Sequence, residues 1–200
     1  EDIYGIYTEN TAGVCTDTRN ILPQGMFFAL KGETFNGNEF VAAALQSGAA
    51  YAVSDEQWVE EVNPEKVILV ESVLETLQQL ARFHRRKFKI PVVGLTGTNG
   101  KTTTKELVAA TLRSKFNVVA TEGNLNNHIG VPLTLLRINK DTQAAVIEMG
   151  ASNPGEIEVL VNIACPSFGL VTNVGKAPLK GFGSLEGVMA TKGDLYDYLL

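Results

Sequence analysis

Two hundred residues, 44% of them hydrophobic and 20% charged, are enough to bury a real core and allow one or two domains. Lys and Arg number 17 against 22 Asp and Glu, and the net charge of -5 excludes the basic surface that nucleic-acid binding needs. Cys15 and Cys165 make no disulfide framework and read as buried free thiols, while the absence of any apolar run near ~20 residues excludes a membrane-spanning helix.

The start, Glu1-Asp2-Ile3, has no signal-peptide character, so a reducing cytoplasm is the expected location. The chain opens without Met and stops at Leu200 inside an apolar-periodic stretch, so both ends read as cut. Short apolar runs over 25–30, 50–53 and 67–70 predict strands, and Phe40 to Ser47 predicts a helix closed by Gly48. A polar stretch with Trp58 and Pro64 lies between the last two runs. From Ser72, a plausible N-cap, Val73, Leu74, Leu77, Leu80, Ala81 and Phe83 recur at helical spacing. This helix is expected to link two domains, with Arg85-Arg86-Lys87 explained by the helix dipole and by solvation.

After Pro91 the pattern alternates. Strands are expected over 92–96, 116–120, 144–148 and 168–172. Helices are expected over 101–112, 130–136 and 154–163, with Pro154 in the first turn of the last, and from Ser184 onward. The alternation predicts a parallel sheet covered on both faces, with ligands gathering at the carboxyl ends of its strands. The fold class is therefore α/β: a small α/β amino-terminal domain over 1–84, then a partial P-loop parallel-sheet domain over 85–200.

Gly97-Thr98-Asn99-Gly100-Lys101-Thr102-Thr103 carries the most specific chemistry. Glycines let backbone N–H groups face phosphate oxygens, the helix start adds positive potential, Lys101 neutralises terminal phosphates and the Thr102 hydroxyl can hold Mg2+. The usual loop has a glycine at position 95, where this chain has Leu. A glycine turn used only for folding leaves Lys101 unexplained, since its charge opposes the helix dipole. Asn139-Lys140-Asp141 lacks the fourth residue of a guanine-recognition motif and reads as a loop. Glu148, ending an apolar strand at the same sheet edge, is expensive there unless it meets a cation, which favours a Mg2+ ligand over a structural salt bridge. Asn173 ends the next strand, and its turn-capping and ligand readings stand even.

Gly97 to Glu106 resembles the Mur ligases, an ATP-dependent amide-forming family. Gly123-Asn124-Leu125-Asn126-Asn127-His128-Ile129-Gly130-Val131-Pro132-Leu133, Glu148 to Ile157, Thr172 to Gly175 and Gly181 to Ser184 narrow the resemblance to the branch that adds D-alanyl-D-alanine to UDP-N-acetylmuramoyl-tripeptide. Thr16-Asp17-Thr18-Arg19 and Gly25 to Glu33 resemble the segment with which that branch holds the uridine-diphosphate end.

The resemblance implies an ATP-dependent ligase of peptidoglycan precursor synthesis. ATP and Mg2+ are its cofactors, UDP-N-acetylmuramoyl-tripeptide and D-alanyl-D-alanine its partners, and a monomer is expected. Lys101, Glu148 and Lys192 would be catalytic. Gly97, Thr98, Asn99, Gly100, Lys101, Thr102 and Thr103 would bind nucleotide, and Thr102 and Glu148 metal. Thr16, Asp17, Thr18, Arg19, Lys31, Gly32, Glu33, Asn124, Asn126 and Asn127 would contact substrate. Lys192 aligns with a family lysine that is carbamylated, which requires a neutral amine. His84 and His128 are read as structural and surface residues.

The chain also departs from the family. Pro178 stands where a metal-binding His is usual and Lys180 where an acid is usual, so a second metal is in question. Asn36 and Asn38 replace Asp and His. The family's acceptor domain is not represented, and poor turnover by these 200 residues is expected. A metal-impaired paralogue and an unrelated P-loop NTPase stay open beside the ligase.

Overall fold

The computed structural model describes residues 2–57, 62–175 and 179–200; Trp58 and Pro178 lie outside them, as do the side chains of Leu179 and Lys180. The chain divides into two compact units, Glu1–Leu80 and Ala81–Leu200.

The first unit comprises α1 (Asp2–Asn10), β1 (Val14–Cys15), β2 (Met26–Phe28), α2 (Val41–Gln46), β3 (Tyr51–Ser54) and β4 (Val67–Leu69). Its four strands form one sheet in the order β1-β2-β3-β4, every neighbouring pair parallel. Phe27, Ala29 and Ala52 pack with Val41 and Ala44 of α2 in one core. Small residues on the helix let it lie close to the sheet. Neither α1 nor β1 was expected: β1 is only two residues long, too short for the period-2 pattern that marks a strand.

Helix α3 (Val73–Lys87) contains the point, after Leu80, at which the two units divide. Ser72 caps it, its Oγ accepting from the Glu75 N–H at 3.2 Å.

The second unit alternates as the periodicity predicts: β5 (Val92–Thr96), α4 (Lys101–Arg113), β6 (Val118–Ala120), α5 (Gly130–Leu135), β7 (Ala144–Glu148), α6 (Glu156–Ala164), β8 (Phe168–Val171), α7 (Leu179–Phe182) and α8 (Leu185–Leu199). The sheet order is β6-β7-β5-β8, all parallel. All five residues of β7 are buried, as a strand with neighbours on both sides and helices on both faces requires. Pro154 precedes α6 instead of entering its first turn, because left-handed Gly155 (φ 80°) begins the helix.

Two expectations fail here. Cys15 is buried, but Cys165 is only partly so, because it ends α6 in a left-handed conformation (φ 45°) that turns the chain outward. Arg85 is not solvated: it is 7% exposed and donates from Nε to the Ala164 carbonyl and from its terminal nitrogens to those of Phe88, Ile90 and Cys165. A fork of five donors suits several converging carbonyls, which a lysine could not serve. Arg85→Met should therefore lower the unfolding free energy by about 3 kcal/mol, because buried carbonyls lose their donor. Urea unfolding measures this, and a loss under about 0.5 kcal/mol would place Arg85 among ordinary surface residues.

Candidate functional site

In the second unit the phosphate loop, Glu148 and Asn173 lie at one sheet edge. Gly97 follows β5, Thr121 follows β6, Glu148 ends β7 and Thr172 follows β8, the carboxyl ends of four parallel strands. Gly97 (φ 146°) and Gly100 (φ 75°) take left-handed conformations that bend the loop from β5 into α4. A Cβ on Gly97 would collide with the Thr172 hydroxyl, so only glycine fits there.

Lys101 folds back over the loop, its Nζ donating to the Gly97 carbonyl at 2.9 Å and the Thr98 carbonyl at 3.3 Å. Asn173 holds the loop from the other side. Its carbonyl accepts from the Thr98 N–H at 3.0 Å, its Oδ1 accepts from the Asn99 N–H at 3.1 Å, and its Nδ2 donates to the Asn99 carbonyl at 3.0 Å. The geometry favours a capping role for Asn173, with the loop itself as its target. Two of the expected N–H donors, those of Thr98 and Asn99, are thereby engaged by protein. The first-turn N–H groups of α4, which include those of Thr102 and Thr103, have no intrahelical acceptor in any α-helix.

Glu148 is 1% exposed. Its Oε1 accepts from Asn126 Nδ2 at 2.9 Å and from the Thr102 hydroxyl at 3.4 Å, whereas its Oε2 is buried with no hydrogen-bond partner. A buried carboxylate with one bare oxygen is costly and calls for a cation. Among the described residues no three His, Cys, Asp or Glu cluster to hold a metal. Mg2+ needs no such cluster: it takes one or two protein oxygens and completes its shell with phosphate oxygens and water.

The asparagine loop separates into roles. Asn126 serves Glu148, and Asn127 Oδ1 accepts from the N–H groups of Ile129 and Gly130, capping α5. Asn124 is exposed. A cleft of about 610 Å3 opens beside them, bounded by Lys101, Asn126, His128, Ser152 and Glu156. His128 is exposed as expected, yet it forms part of the cleft wall. His84 is buried and bonded through Nε2 to the Ile138 carbonyl at 2.7 Å.

Glu156 was not anticipated. Its carboxylate accepts from the Ser152 and Asn153 N–H groups at 2.6 and 3.1 Å and from Asn153 Nδ2 at 2.8 Å, closing the loop before α6. Burial pushes its carboxyl up, but these bonds hold it below its usual range. Lys192 is 2% exposed, with Nζ 5.5 Å from the centre of the Phe182 ring. Burial, then the charge of Lys101, lowers its pKa to about 8 against the opposing pull of Glu156.

In the first unit the expected substrate segments also lie at carboxyl strand ends: Thr16 to Arg19 after β1, Lys31 to Glu33 after β2. Asp17 and Arg19 pair with each other at 2.7 Å, which holds the Asp17 carboxyl down at about 2. Lys31 pairs with Asp55 at 2.8 Å and Glu56 at 3.0 Å, two acids after β3 that carried no sequence signal. Asn36 and Asn38 tie into the same acids: Asn36 donates to Glu56, and buried Asn38 donates to Asp55 while accepting from Ser54. Gly32 donates its N–H to the Phe35 carbonyl, and Glu33 is exposed.

A parallel sheet with a glycine-rich turn, Lys-Thr and helix behind its first strand defines the second unit as a P-loop α/β domain. The Mur ligase middle domain matches residues 95–200, and the Mur ligase family, catalytic domain, matches residues 10–85. The chain belongs to the Mur ligase family. It is similar to UDP-N-acetylmuramoyl-tripeptide--D-alanyl-D-alanine ligase of Bacillus subtilis (strain 168), at 41% identity over 94% of this chain and 41% of the relative. The ligase of that name from Escherichia coli (strain K12) is also 41% identical, over 93% of this chain and 40% of the relative. Among solved structures, MurF from Acinetobacter baumannii aligns with a TM-score of 0.87 at 35% identity, over 94% of this chain and 41% of that one. MurF ligase from Thermotoga maritima in complex with ADP aligns with 0.84 at 38% identity, over 94% and 43%. The chain thus spans about 41% of the length of the curated relatives it matches. Membership of this family closes the reading as an unrelated P-loop NTPase. No helix among the described residues is long and apolar enough to cross a membrane.

The lowered Lys192 pKa has a definite sign. Between about 8 and 10.5 the unfolded chain keeps the lysine proton and the folded chain has lost it, so stability rises with pH across that window. Lys192→Met should be the more stable form below pH 8, and its advantage should shrink by roughly 3 kcal/mol toward pH 10.5. Urea unfolding of both forms over pH 7 to 10.5 checks this, and a constant difference refutes it.

Proposed function

We propose that the whole protein is an ATP-dependent ligase that joins D-alanyl-D-alanine to UDP-N-acetylmuramoyl-tripeptide. The observation that carries this reading is the bare Glu148 oxygen beside Thr102 at the phosphate loop. The likeness to relatives of that activity supplies the substrates. The terminal phosphoryl group of ATP passes to the free carboxylate of the tripeptide, releasing ADP. The amine of the dipeptide then attacks the acyl phosphate, expelling phosphate and a proton as the amide forms.

Positioning and charge neutralisation are the protein's part in such a transfer. Lys101, at the mouth of α4, would neutralise the terminal phosphates, and the first-turn N–H groups would add donors. Thr102 and Glu148 would hold Mg2+, which when bound spreads the charge developing on the phosphate oxygens. Asn126 holds the Glu148 carboxylate in place. Lys192 has the lowered proton affinity that carbamylation requires. In the first unit Arg19 and Lys31 would meet the diphosphate, each drawn from an acidic partner.

A second reading, a paralogue impaired at its second metal, rests on Pro178 in place of the family His. Pro178→His in the full-length protein separates the two: a rate gain of about tenfold or more supports impairment, and an unchanged rate removes it.

The ligase reading is tested on the full-length protein. ADP release sustained beyond one turnover should require both UDP-N-acetylmuramoyl-tripeptide and D-alanyl-D-alanine, and Glu148→Gln should lower kcat by about 100-fold or more, beyond what an outer-shell partner costs. Sustained ADP release indifferent to the dipeptide would sink the assignment.

A further inference from the structure

Lys105 lies one turn into α4 and is completely buried. A buried ammonium costs several kcal/mol unless its donors are used. Its Nζ donates to the Thr121 carbonyl at 2.7 Å and to Glu106 Oε1 at 2.5 Å, and the Glu106 side chain is 59% exposed. The carbonyl is the informative partner. The last ladder bond between β6 and β7 is donated by the Thr121 N–H to Val146 at 3.0 Å, so the Thr121 carbonyl is the first group beyond the ladder. The Thr121 hydroxyl in turn accepts from the Glu148 N–H at 2.9 Å. Residue 121 is also the root of the loop from which Asn126 reaches Glu148, and the Asn126 carbonyl accepts from the Gly150 N–H at 2.8 Å.

We infer that Lys105 is a positioning residue for the metal-binding carboxylate: by fixing Thr121 it sets both the backbone of Glu148 and the root of the Asn126 loop. This rests on the ligase reading only in taking Glu148 as the Mg2+ ligand. Packing alone does not account for a lysine there. Methionine fills the same space without a charge to desolvate, but it leaves the Thr121 carbonyl with no donor.

The test uses the full-length protein, wild type, Lys105→Met, Thr121→Val and the double variant. Mn2+ binding in the presence of ADP is followed by electron paramagnetic resonance of free Mn2+, beside the Mg2+ dependence of turnover and the melting temperature. Each single variant should raise the Mn2+ Kd and the half-saturating Mg2+ by about tenfold. The double variant should be little worse than either, because both cut one relay. A folded Lys105→Met or Thr121→Val protein with the wild-type Mn2+ Kd overturns the inference. If Lys105→Met does not fold, Thr121→Val decides it. Mn2+ binding is read without peptide substrates, so a wild-type protein that binds Mn2+ and ADP but forms no amide defeats the ligase reading separately.

Discussion

A carboxylate buried at the end of a central strand, with one oxygen unpaired, is the constraint around which the second unit is arranged. Such a group is tolerated only where neighbours fix its position and a cation completes its charge balance. Thr102 and Asn126 share one oxygen of Glu148, Thr121 holds its N–H, and Lys105 holds Thr121. These groups come from the start of α4, the segment after β6 and the end of β7. The parallel sheet brings them to one edge, since every strand in it points the same way.

The first unit repeats the same logic with different chemistry. Its three leading strand ends deliver Asp17 and Arg19, then Lys31, then Asp55 and Glu56 to one edge of another all-parallel sheet. There the cations are already matched by acids. An anionic ligand bound there would have to compete with those acids, and one with two phosphates would compete better than one with a single charge.

Much of this was legible in sequence where the signal was local. The run Ala144 to Glu148 fixed a buried strand with an acid at its end, and Gly97 to Thr102 announced the turn into α4, because hydrophobic period and glycine placement are properties of neighbours in the chain. What escaped depended on pairs far apart in sequence. Asn173 and the phosphate loop meet across more than 70 residues, Lys105 and Thr121 across 16, and Arg85 finds carbonyls about 80 residues away. A basic run reads as solvated until the fold supplies its acceptors. β1, at two residues, and α7, at four, show no period of their own and lie in no longer apolar run.

The clamp of Asn173 on the phosphate loop has a mechanical consequence. Both strands of the β5 and β8 pair continue into the same knot of hydrogen bonds, since Thr172 Oγ1 also donates to the Asn99 carbonyl at 2.7 Å. The loop is tethered at two ends, by its own strand and by its neighbour. Any shear of β8 against β5 is carried straight into Thr98 and Asn99. The stiffness of that strand pair, and not the glycines alone, sets how far the loop can yield.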